Sequence, residues 1–176
     1  MIRIFINNLH SLDAALCIQI FRWNGKKFID KFMAFITHTG DGYFYFLIGI
    51  MIYIVNPAMG KLFIPAALIA YGLEVPSHIL LKKRIKRRRP CVRYPEINNL
   101  VSLPDEFSFP SGHTAAAFCM ASLLAAFYPD GMWFYYTIAG LIGLSRIYNG
   151  VHYPGDVIAG MIIGLLCSKI SLAIVL

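Results

Sequence analysis

Two histidines and an aspartate have the spacing that phosphoester chemistry without a metal requires. His152 and Asp156 are four residues apart, and Pro154 between them suits the first turn of a helix, so the carboxylate can reach back toward the imidazole. A carboxylate that holds one ring nitrogen leaves the other free to act as a nucleophile or a base. His113 supplies a second imidazole, which could protonate a departing oxygen.

Cationic and helix-starting residues accompany these histidines and indicate a phosphate ligand. Ser111 and Gly112 precede an apolar stretch, and the free backbone N–H groups at the start of a helix bind anions. Arg146 offers a planar fork that matches phosphate oxygens. Lys82 and Arg89 are seven residues apart, about two helical turns, so a helix that continued past the membrane would project both cations from one side.

The composition is that of an integral membrane protein. Of the 176 residues, 58% are hydrophobic and 14% are charged, and the mean hydropathy is +0.63. These values are too apolar for an ordinary soluble domain of this length. Several stretches approach the roughly 20 apolar residues that cross a bilayer as a helix. A water-soluble enzyme with a separate second domain is therefore excluded.

We predict an all-α fold: a polytopic membrane helix bundle of five or six transmembrane helices, forming a single membrane-embedded domain over residues 1–176. Residues 1–40 mix apolar and polar side chains, which favours an N-terminal interfacial helix, with a first span as the alternative. Residues 82–110 form the longest polar segment and are the expected active-site loop. The predicted spans are 43–55, 62–81, 114–128, 133–148 and 154–173.

The order of the spans predicts that the polar motif residues meet at one membrane surface. If the span over 62–81 leaves the membrane at Lys82, the next span starts on the same face near His113 and crosses over. The span after it returns to that face at Arg146. The residues named above, although distant in sequence, therefore converge.

One carboxylate lies within a predicted span. Glu74 at membrane depth costs about 2.5 to 3.5 kcal/mol on insertion scales, so it needs a partner, and His78 lies four residues further along the same face. We interpret this pair as structural, and we interpret His10 and His38 as buried residues or interface anchors. The four cysteines show no metal-ligand or disulfide spacing, so neither a metal site nor a disulfide framework is expected.

The basic residues are concentrated in one block. Eight of the 16 Lys and Arg residues lie within residues 82–93, directly after an apolar run. The bases of this block other than Lys82 and Arg89 are expected to contact lipid headgroups or the rest of the substrate; they include Arg84, Lys86, Arg87, Arg88 and Arg93. No nucleic acid is expected, because no recognition fold accompanies the block. The sequence makes no prediction of oligomeric state.

Three segments together resemble the signature of the type 2 phosphatidic acid phosphatase superfamily, which also includes the vanadium haloperoxidases. The resemblance covers residues 82–156 by motif, and eleven positions at fixed internal spacing make it far more specific than one short motif. In chain order the segments read Lys82-x6-Arg89-Pro90, Pro110-Ser111-Gly112-His113 and Ser145-Arg146-x5-His152-x3-Asp156.

The resemblance implies a role for each matched residue. His152 attacks phosphorus to form a phosphohistidine, Asp156 orients it, and His113 protonates the leaving oxygen before water attacks the intermediate. No metal and no other cofactor is required. The residues implied to bind the phosphate oxygens are Lys82, Arg89, Ser111, Gly112 and Arg146.

The resemblance also implies a lipid phosphate substrate. Within the family the chain resembles the small bacterial lipid phosphatases. Undecaprenyl diphosphate is the first choice of substrate, because the chain is compact and shows no appended domain. Phosphatidylglycerol phosphate, phosphatidic acid and lipid A 1-phosphate are alternatives. A lipid phosphotransferase that uses the same phosphohistidine and a non-enzymatic anionic-lipid-binding membrane protein also remain open.

Two arguments disagree about the membrane face. The basic block would place the motif face in the cytoplasm by the positive-inside rule. Proteins with the same signature mostly carry the site on the periplasmic or extracytoplasmic face of the inner (plasma) membrane. We follow the resemblance, because a phosphate site needs local cations for its own chemistry.

Overall fold

The computed structural model describes residues 2–103 and 105–176, with side chains described from His10 onward. These residues form helices joined by short turns and one long polar loop, with a short 3₁₀ turn at Pro129–Gly131. The described part of the chain contains no β-strand, and only an isolated bridge pairs Arg88 with Phe107. The helices are α1 Ile2–Phe21, α2 Lys27–His38, α3 Gly42–Val55, α4 Pro57–Ile85, α5 Pro90–Arg93, α6 Gly112–Phe127, α7 Met132–Tyr148 and α8 Pro154–Val175.

The all-α prediction is confirmed, whereas the number of spans stays a prediction. Two of the described helices, α4 with 29 residues and α8 with 22, are long and apolar enough to cross a bilayer on length and composition. Residues 10–21, α3 and α6 are shorter apolar helices. The interfacial position of residues 1–40 likewise stays a prediction.

Helix α4 is longer than predicted at both ends. It begins at Pro57 because the Asn56 side chain accepts a hydrogen bond from the backbone N–H of Met59 at 3.1 Å, and proline suits the first turn. It ends at Ile85 because Lys86 adopts a left-handed conformation with φ of 50°.

The expected continuation of one helix from Lys82 to Arg89 is therefore wrong. Lys82 lies in the last turn of α4, whereas Arg89 lies in extended backbone after the helix has ended. The two cations still approach each other, because both contact Asp105. A loop carboxylate, instead of helical spacing, brings them together.

Helices α6 and α8 pack backbone against backbone around two glycines. A Cβ atom at Gly160 would lie 2.5 Å from the carbonyl oxygen of Ser111, and one at Gly164 would overlap the carbonyl oxygen of Ala115. Helix α6 also packs against α4 and α7, so it lies at the centre of the bundle. This close approach fixes the start of α6 beside the start of α8, where the motif residues are.

The N-terminal helices α1 and α2 both pack against α7. The Asn24 side chain donates to the carbonyl oxygen of Tyr148 at 3.0 Å, and the Tyr148 hydroxyl donates to Asp30 at 2.7 Å. Cys17 of α1 is buried in a small apolar cluster with Ile147. The end of α7, which carries Arg146, is thereby held from the N-terminal side.

We expect Gly164→Ala to destabilise the bundle, because the added methyl group would push α8 away from the backbone of α6. Overpacking of this kind costs about 1–3 kcal/mol. The measurement is the midpoint of thermal unfolding in detergent. Gly140→Ala in α7 is the matched control, since nothing lies within 4 Å of its Cβ position and alanine favours a helix. Equal midpoints for the two variants would contradict the packing argument.

Candidate active site

A cavity of about 640 Å³ gathers residues from all three motif segments. It runs from the polar loop and the starts of α3 and α6 down between α3 and α4, where its lining becomes apolar. Ser111 and Asp156 lie directly behind its wall, each fully buried. The sequence-predicted residues that line the cavity are Lys82, Arg89, Gly112, His113, Arg146 and His152.

His152 lies in the turn between α7 and α8. Its backbone N–H donates to the carbonyl oxygen of Arg146 at 3.2 Å, and the turn is possible because Gly150 has φ of 72°. Asp156 accepts a hydrogen bond from the backbone N–H of Tyr153 at 2.9 Å in the first turn of α8. This places its Oδ2 3.6 Å from Nδ1 of His152, the approach that the four-residue spacing predicted.

The surroundings of His152 define its protonation state. Nη1 of Arg89 lies 3.3 Å from Nε2 of His152, and a guanidinium can only donate, so Nε2 carries the lone pair and the proton is on Nδ1. Burial lowers the pKa of His152 to about 3; Asp156 opposes this shift, while Arg146 and Arg89 add to it. The imidazole is therefore neutral near pH 7, with a free Nε2 lone pair at the cavity.

A carboxylate that the sequence did not reveal bridges two predicted phosphate-binding cations. Asp105 accepts from Nζ of Lys82 at 2.8 Å and from Nη2 of Arg89 at 2.7 Å. Burial alone would raise the pKa of Asp105, but the hydrogen bonds from Lys82 and Arg89 outweigh it and lower the pKa. Arg89 is fully buried and also donates to the carbonyl oxygen of Val151 at 2.9 Å. Its position is thus determined before any ligand binds.

Arg146 presents donors that no described residue satisfies. Its Nη1 donates to Oγ1 of Thr37 in α2 at 2.7 Å, whereas Nε and Nη2 are buried without a hydrogen-bond partner among the described residues. The residue is 2% exposed and lines the cavity. Buried guanidinium groups are normally paired, so this edge is suited to two acceptor oxygens such as those of a phosphate.

The start of α6 is built as predicted, but the hydroxyl of Ser111 is already engaged. Ser111 is the N-cap of α6, and its Oγ accepts from the hydroxyl of Thr114 at 2.9 Å and from the Thr114 N–H at 3.4 Å. Gly112 and His113 occupy the first turn and line the cavity. A direct contact between phosphate and the Ser111 hydroxyl stays a prediction.

His113 is oriented by Asp41, which lies outside the three motif segments. Its Nε2 lies 3.0 Å from Oδ1 of Asp41, which directly precedes α3. The same carboxylate contacts Nδ1 of His38 at 3.3 Å. Burial and the nearby Arg146 lower the pKa of His113 to about 4, and Asp41 opposes this shift only in part, so the protonated imidazole that a general acid requires forms more readily once a phosphate anion lies beside it.

A second unpredicted network lies behind Asp156. Arg87 donates through Nη1 to Asp156 at 2.7 Å and through Nη2 to Asp13 of α1 at 2.6 Å. Asp13 also accepts from the N–H of Gly155 at 2.7 Å, in the first turn of α8. The Arg87 guanidinium stacks on the ring of Tyr153, with its carbon 3.8 Å from the centroid. An aspartate from α1 is thus linked through one arginine to the partner of His152.

The signal for these supporting carboxylates was weak but present. The chain has only nine Asp and Glu residues, so few carboxylates are available to pair with the motif cations and histidines, and each aspartate is a candidate partner. No local spacing connects Asp13, Asp41 or Asp105 to the motifs, so only the tertiary arrangement reveals the pairing.

The sequence pattern that describes the PAP2 superfamily matches residues 60–176. The chain belongs to the PAP2 superfamily. The family resemblance drawn from the three motifs is thereby confirmed, and the matched region includes all of the predicted site residues.

Several PAP2 proteins are similar over long stretches. The chain is 32% identical over 124 residues to the bacitracin transport permease protein BcrC of Bacillus licheniformis, covering 69% of this chain but only 61% of that protein. It is 32% identical over 156 residues to phosphatidylglycerophosphatase B of Bacillus subtilis, covering 80% and 72%. The chain is also 42% identical over 72 residues to the undecaprenyl-diphosphatase of Sulfolobus acidocaldarius. This shorter match covers 40% of this chain and 35% of that protein.

The fold is also that of a solved PAP2 protein. The crystal structure of Aquifex aeolicus LpxE superposes with a TM-score of 0.78 at 34% sequence identity, and the match covers 90% of this chain and 93% of that one. The chain is therefore a helical protein of a membrane lipid phosphatase family.

We expect Arg87→Gln to lower the thermal unfolding midpoint in detergent, because it leaves Asp13 and Asp156 buried without their cation. Breaking a buried ion pair costs about 3–5 kcal/mol. Arg84→Gln, an exposed neighbour in the last turn of α4, is the control and should unfold like the wild type. If both variants unfold like the wild type, the network does not stabilise the fold.

The pKa of His152 predicts a pH dependence of stability. Below the ordinary histidine value of about 6.5, the unfolded chain takes up a proton that the folded imidazole refuses, so the free energy of unfolding falls as the pH decreases toward about 3. His152→Gln lacks this contribution, so its stability should fall less steeply across that window. The measurement is the free energy of unfolding of the wild type and of His152→Gln in detergent at a series of pH values, with the exposed His10→Gln as control. Parallel curves for wild type and His152→Gln would refute the assignment.

Proposed function

We propose that the protein hydrolyses a lipid phosphate or diphosphate through a phosphohistidine on His152, without a metal. The observation that carries this proposal is one cavity that joins a neutral imidazole, three buried or half-buried cations and an apolar groove. Phosphoryl transfer depends mainly on positioning and on electrostatic stabilisation, and the cavity offers both.

In the first step, Nε2 of His152 attacks phosphorus and the bond to the leaving oxygen breaks. Asp156 stabilises the positive charge that develops on the ring, since its carboxylate faces Nδ1 at 3.6 Å. His113, held by Asp41, donates a proton to the leaving oxygen. In the second step, water attacks the phosphohistidine with His113 as the base, and phosphate is released.

The phosphate oxygens are bound by groups on three sides. Arg146 supplies Nε and Nη2, and the first turn of α6 at Gly112 supplies a backbone N–H, with Ser111 capping that helix. Lys82 and Arg89 transfer part of their hydrogen bonding from Asp105 to the ligand. A stronger anion competes well for these donors, because Asp105 is 40% exposed and can be solvated when it is released.

The apolar end of the cavity supports a lipid substrate. It lies between α3 and α4 and is lined by apolar side chains that are themselves exposed on the helix surface, so a chain in the bilayer can enter from the side. The phosphate then reaches the cations while the tail stays in the membrane. These lining residues include Phe46, Ile50, Leu68 and Val75.

Among lipid phosphates we propose undecaprenyl diphosphate as the substrate and undecaprenyl phosphate as the product. A relative that is 42% identical to this chain over 72 residues carries the name undecaprenyl-diphosphatase. Phosphatidylglycerol phosphate is the second candidate, because the similarity to phosphatidylglycerophosphatase B extends over 80% of this chain.

We further propose that the protein lies in the inner (plasma) membrane with its site on the periplasmic face. Three cations of the basic block are engaged in the site, since Lys82, Arg87 and Arg89 pair with carboxylates. They serve ligand binding and packing, which weakens the positive-inside argument for a cytoplasmic site.

The experiment is a phosphate-release assay in detergent on a panel of lipid phosphates. We expect the wild type to release phosphate, undecaprenyl diphosphate to be the best substrate, and His152→Ala to lose turnover by a factor of at least about 10³, because it lacks the nucleophile. His10→Ala, an exposed histidine on α1, is the folded control with full turnover.

Two further readouts separate the alternatives. Turnover should persist in excess EDTA, and a strict requirement for Mg²⁺ would contradict the metal-free mechanism. Phosphorylated lipid acceptors in place of free phosphate would identify a phosphotransferase. Lipid binding without any turnover in the wild type would identify a non-enzymatic lipid-binding protein.

A further inference from the structure

We propose that His78, held by Glu74, binds a second phosphate on the lipid side of the scissile bond, so that the site prefers lipid diphosphates to lipid monophosphates. This inference rests on the proposed function and names the residue that selects the substrate class. Neither residue belongs to the three motif segments.

Glu74 and His78 form a polar pair inside an otherwise apolar helix. Nδ1 of His78 lies 2.8 Å from Oε1 of Glu74, and Glu74 is 1% exposed. Its Oε2 is buried without a hydrogen-bond partner among the described residues. A carboxylate this deeply buried is costly unless it is hydrogen-bonded, and the adjacent imidazole supplies one such bond.

The pair lies where the cationic part of the cavity meets the apolar part. Glu74, His78 and Lys82 are spaced four residues apart on one face of α4, and all three line the cavity. Four residues of helix rise about 6 Å, so His78 lies one turn deeper in the bundle than Lys82. Below the pair, α4 lines the cavity with apolar residues such as Leu68.

The other ring nitrogen of His78 is directed at the start of α6. A Cβ atom at Gly112 would lie 3.1 Å from Nε2 of His78. Gly112 immediately precedes His113, to which the resemblance assigns protonation of the leaving oxygen. His78 therefore lies on the side of the cavity where the leaving group is expected. The N-terminus of α6, Lys82 and Arg146 line the same cavity as this nitrogen, so an anion placed among them is stabilised.

A lipid diphosphate places an anion there. With its terminal phosphate among Arg89, Arg146 and Lys82, its tail-proximal phosphate lies on the way to the apolar groove, within the part of the cavity that His78 lines. His78 then lies between the Glu74 carboxylate and that phosphate, with one ring nitrogen toward each. A lipid monophosphate has no group at this position.

The contact also assists the reaction. The bond from Nε2 of His152 to the terminal phosphorus forms as the bridging P–O bond breaks, and the electron pair stays on the bridging oxygen of the departing lipid monophosphate. An N–H from His78 to that phosphate stabilises the charge as it develops. His78 thus acts on the leaving group, whereas His152 acts on the transferred group.

The test compares two substrates with the same tail, undecaprenyl diphosphate and undecaprenyl phosphate, in the same detergent. For His78→Ala we expect kcat/KM for the diphosphate to fall at least about tenfold, the effect of losing one hydrogen bond to a charged group, while kcat/KM for the monophosphate changes less than about threefold. Glu74→Gln keeps the hydrogen-bond acceptor and should shift the preference in the same direction by a smaller factor. His10→Ala is the control.

Other outcomes overturn the inference. Equal losses on both substrates would mean that the pair only supports the packing of α4, and unchanged preference would mean that His78 does not touch the substrate. If His78→Ala fails to fold, His78→Phe fills the space of the ring without a donor, and an unchanged preference in His78→Phe refutes the proposal. Wild-type protein inactive on both lipids would instead refute the proposed function itself.

Discussion

Compensation of buried charge is the constraint on which this structure depends. Arginines are buried at the end of a helix bundle, where an unpaired cation costs several kcal/mol. Arg89 satisfies its donors with Asp105 and a backbone carbonyl, and Arg87 pairs through Nη1 and Nη2 with Asp156 and Asp13. Each partner comes from a different part of the chain. The cations therefore hold the helices in register as much as the apolar packing does, and they do so at the site itself.

Arg146 differs from Arg87 and Arg89 because no carboxylate of the described residues pairs with it, and this difference suits the binding of an anion. It is anchored to α2 through one nitrogen, and its remaining edge faces the cavity without partners among the described residues. The neighbouring cations meet a carboxylate that is part of the protein. A phosphate that enters the cavity thus finds one guanidinium already fixed for it, together with two cations whose present partner is half exposed and can be released into water.

The sequence predicts the motif residues of the site better than it predicts the carboxylates that orient them. Regular spacing and the predicted order of the spans place His113, Arg146 and His152 close together, and all three line one cavity in the structure. The carboxylates that orient them have no such local signature. Asp41 orients His113 from a turn 72 residues away, and Asp105 reaches Arg89 only because α4 ends at a left-handed residue that the sequence gives no reason to expect.

The side chains with which α4 lines the cavity change from apolar to polar along the helix, so one helix contacts both an apolar and an anionic part of a ligand. The apolar residues of α4 line the groove between α3 and α4, and its last turn places Lys82 at the cationic end of the cavity. Glu74 and His78 lie between the apolar residues and Lys82. A membrane helix avoids charged residues at depth unless another group compensates them, so polar groups in this intermediate position require a specific benefit. Because a lipid phosphate is itself apolar at one end and anionic at the other, a helix whose lining changes character over two turns matches it along its length.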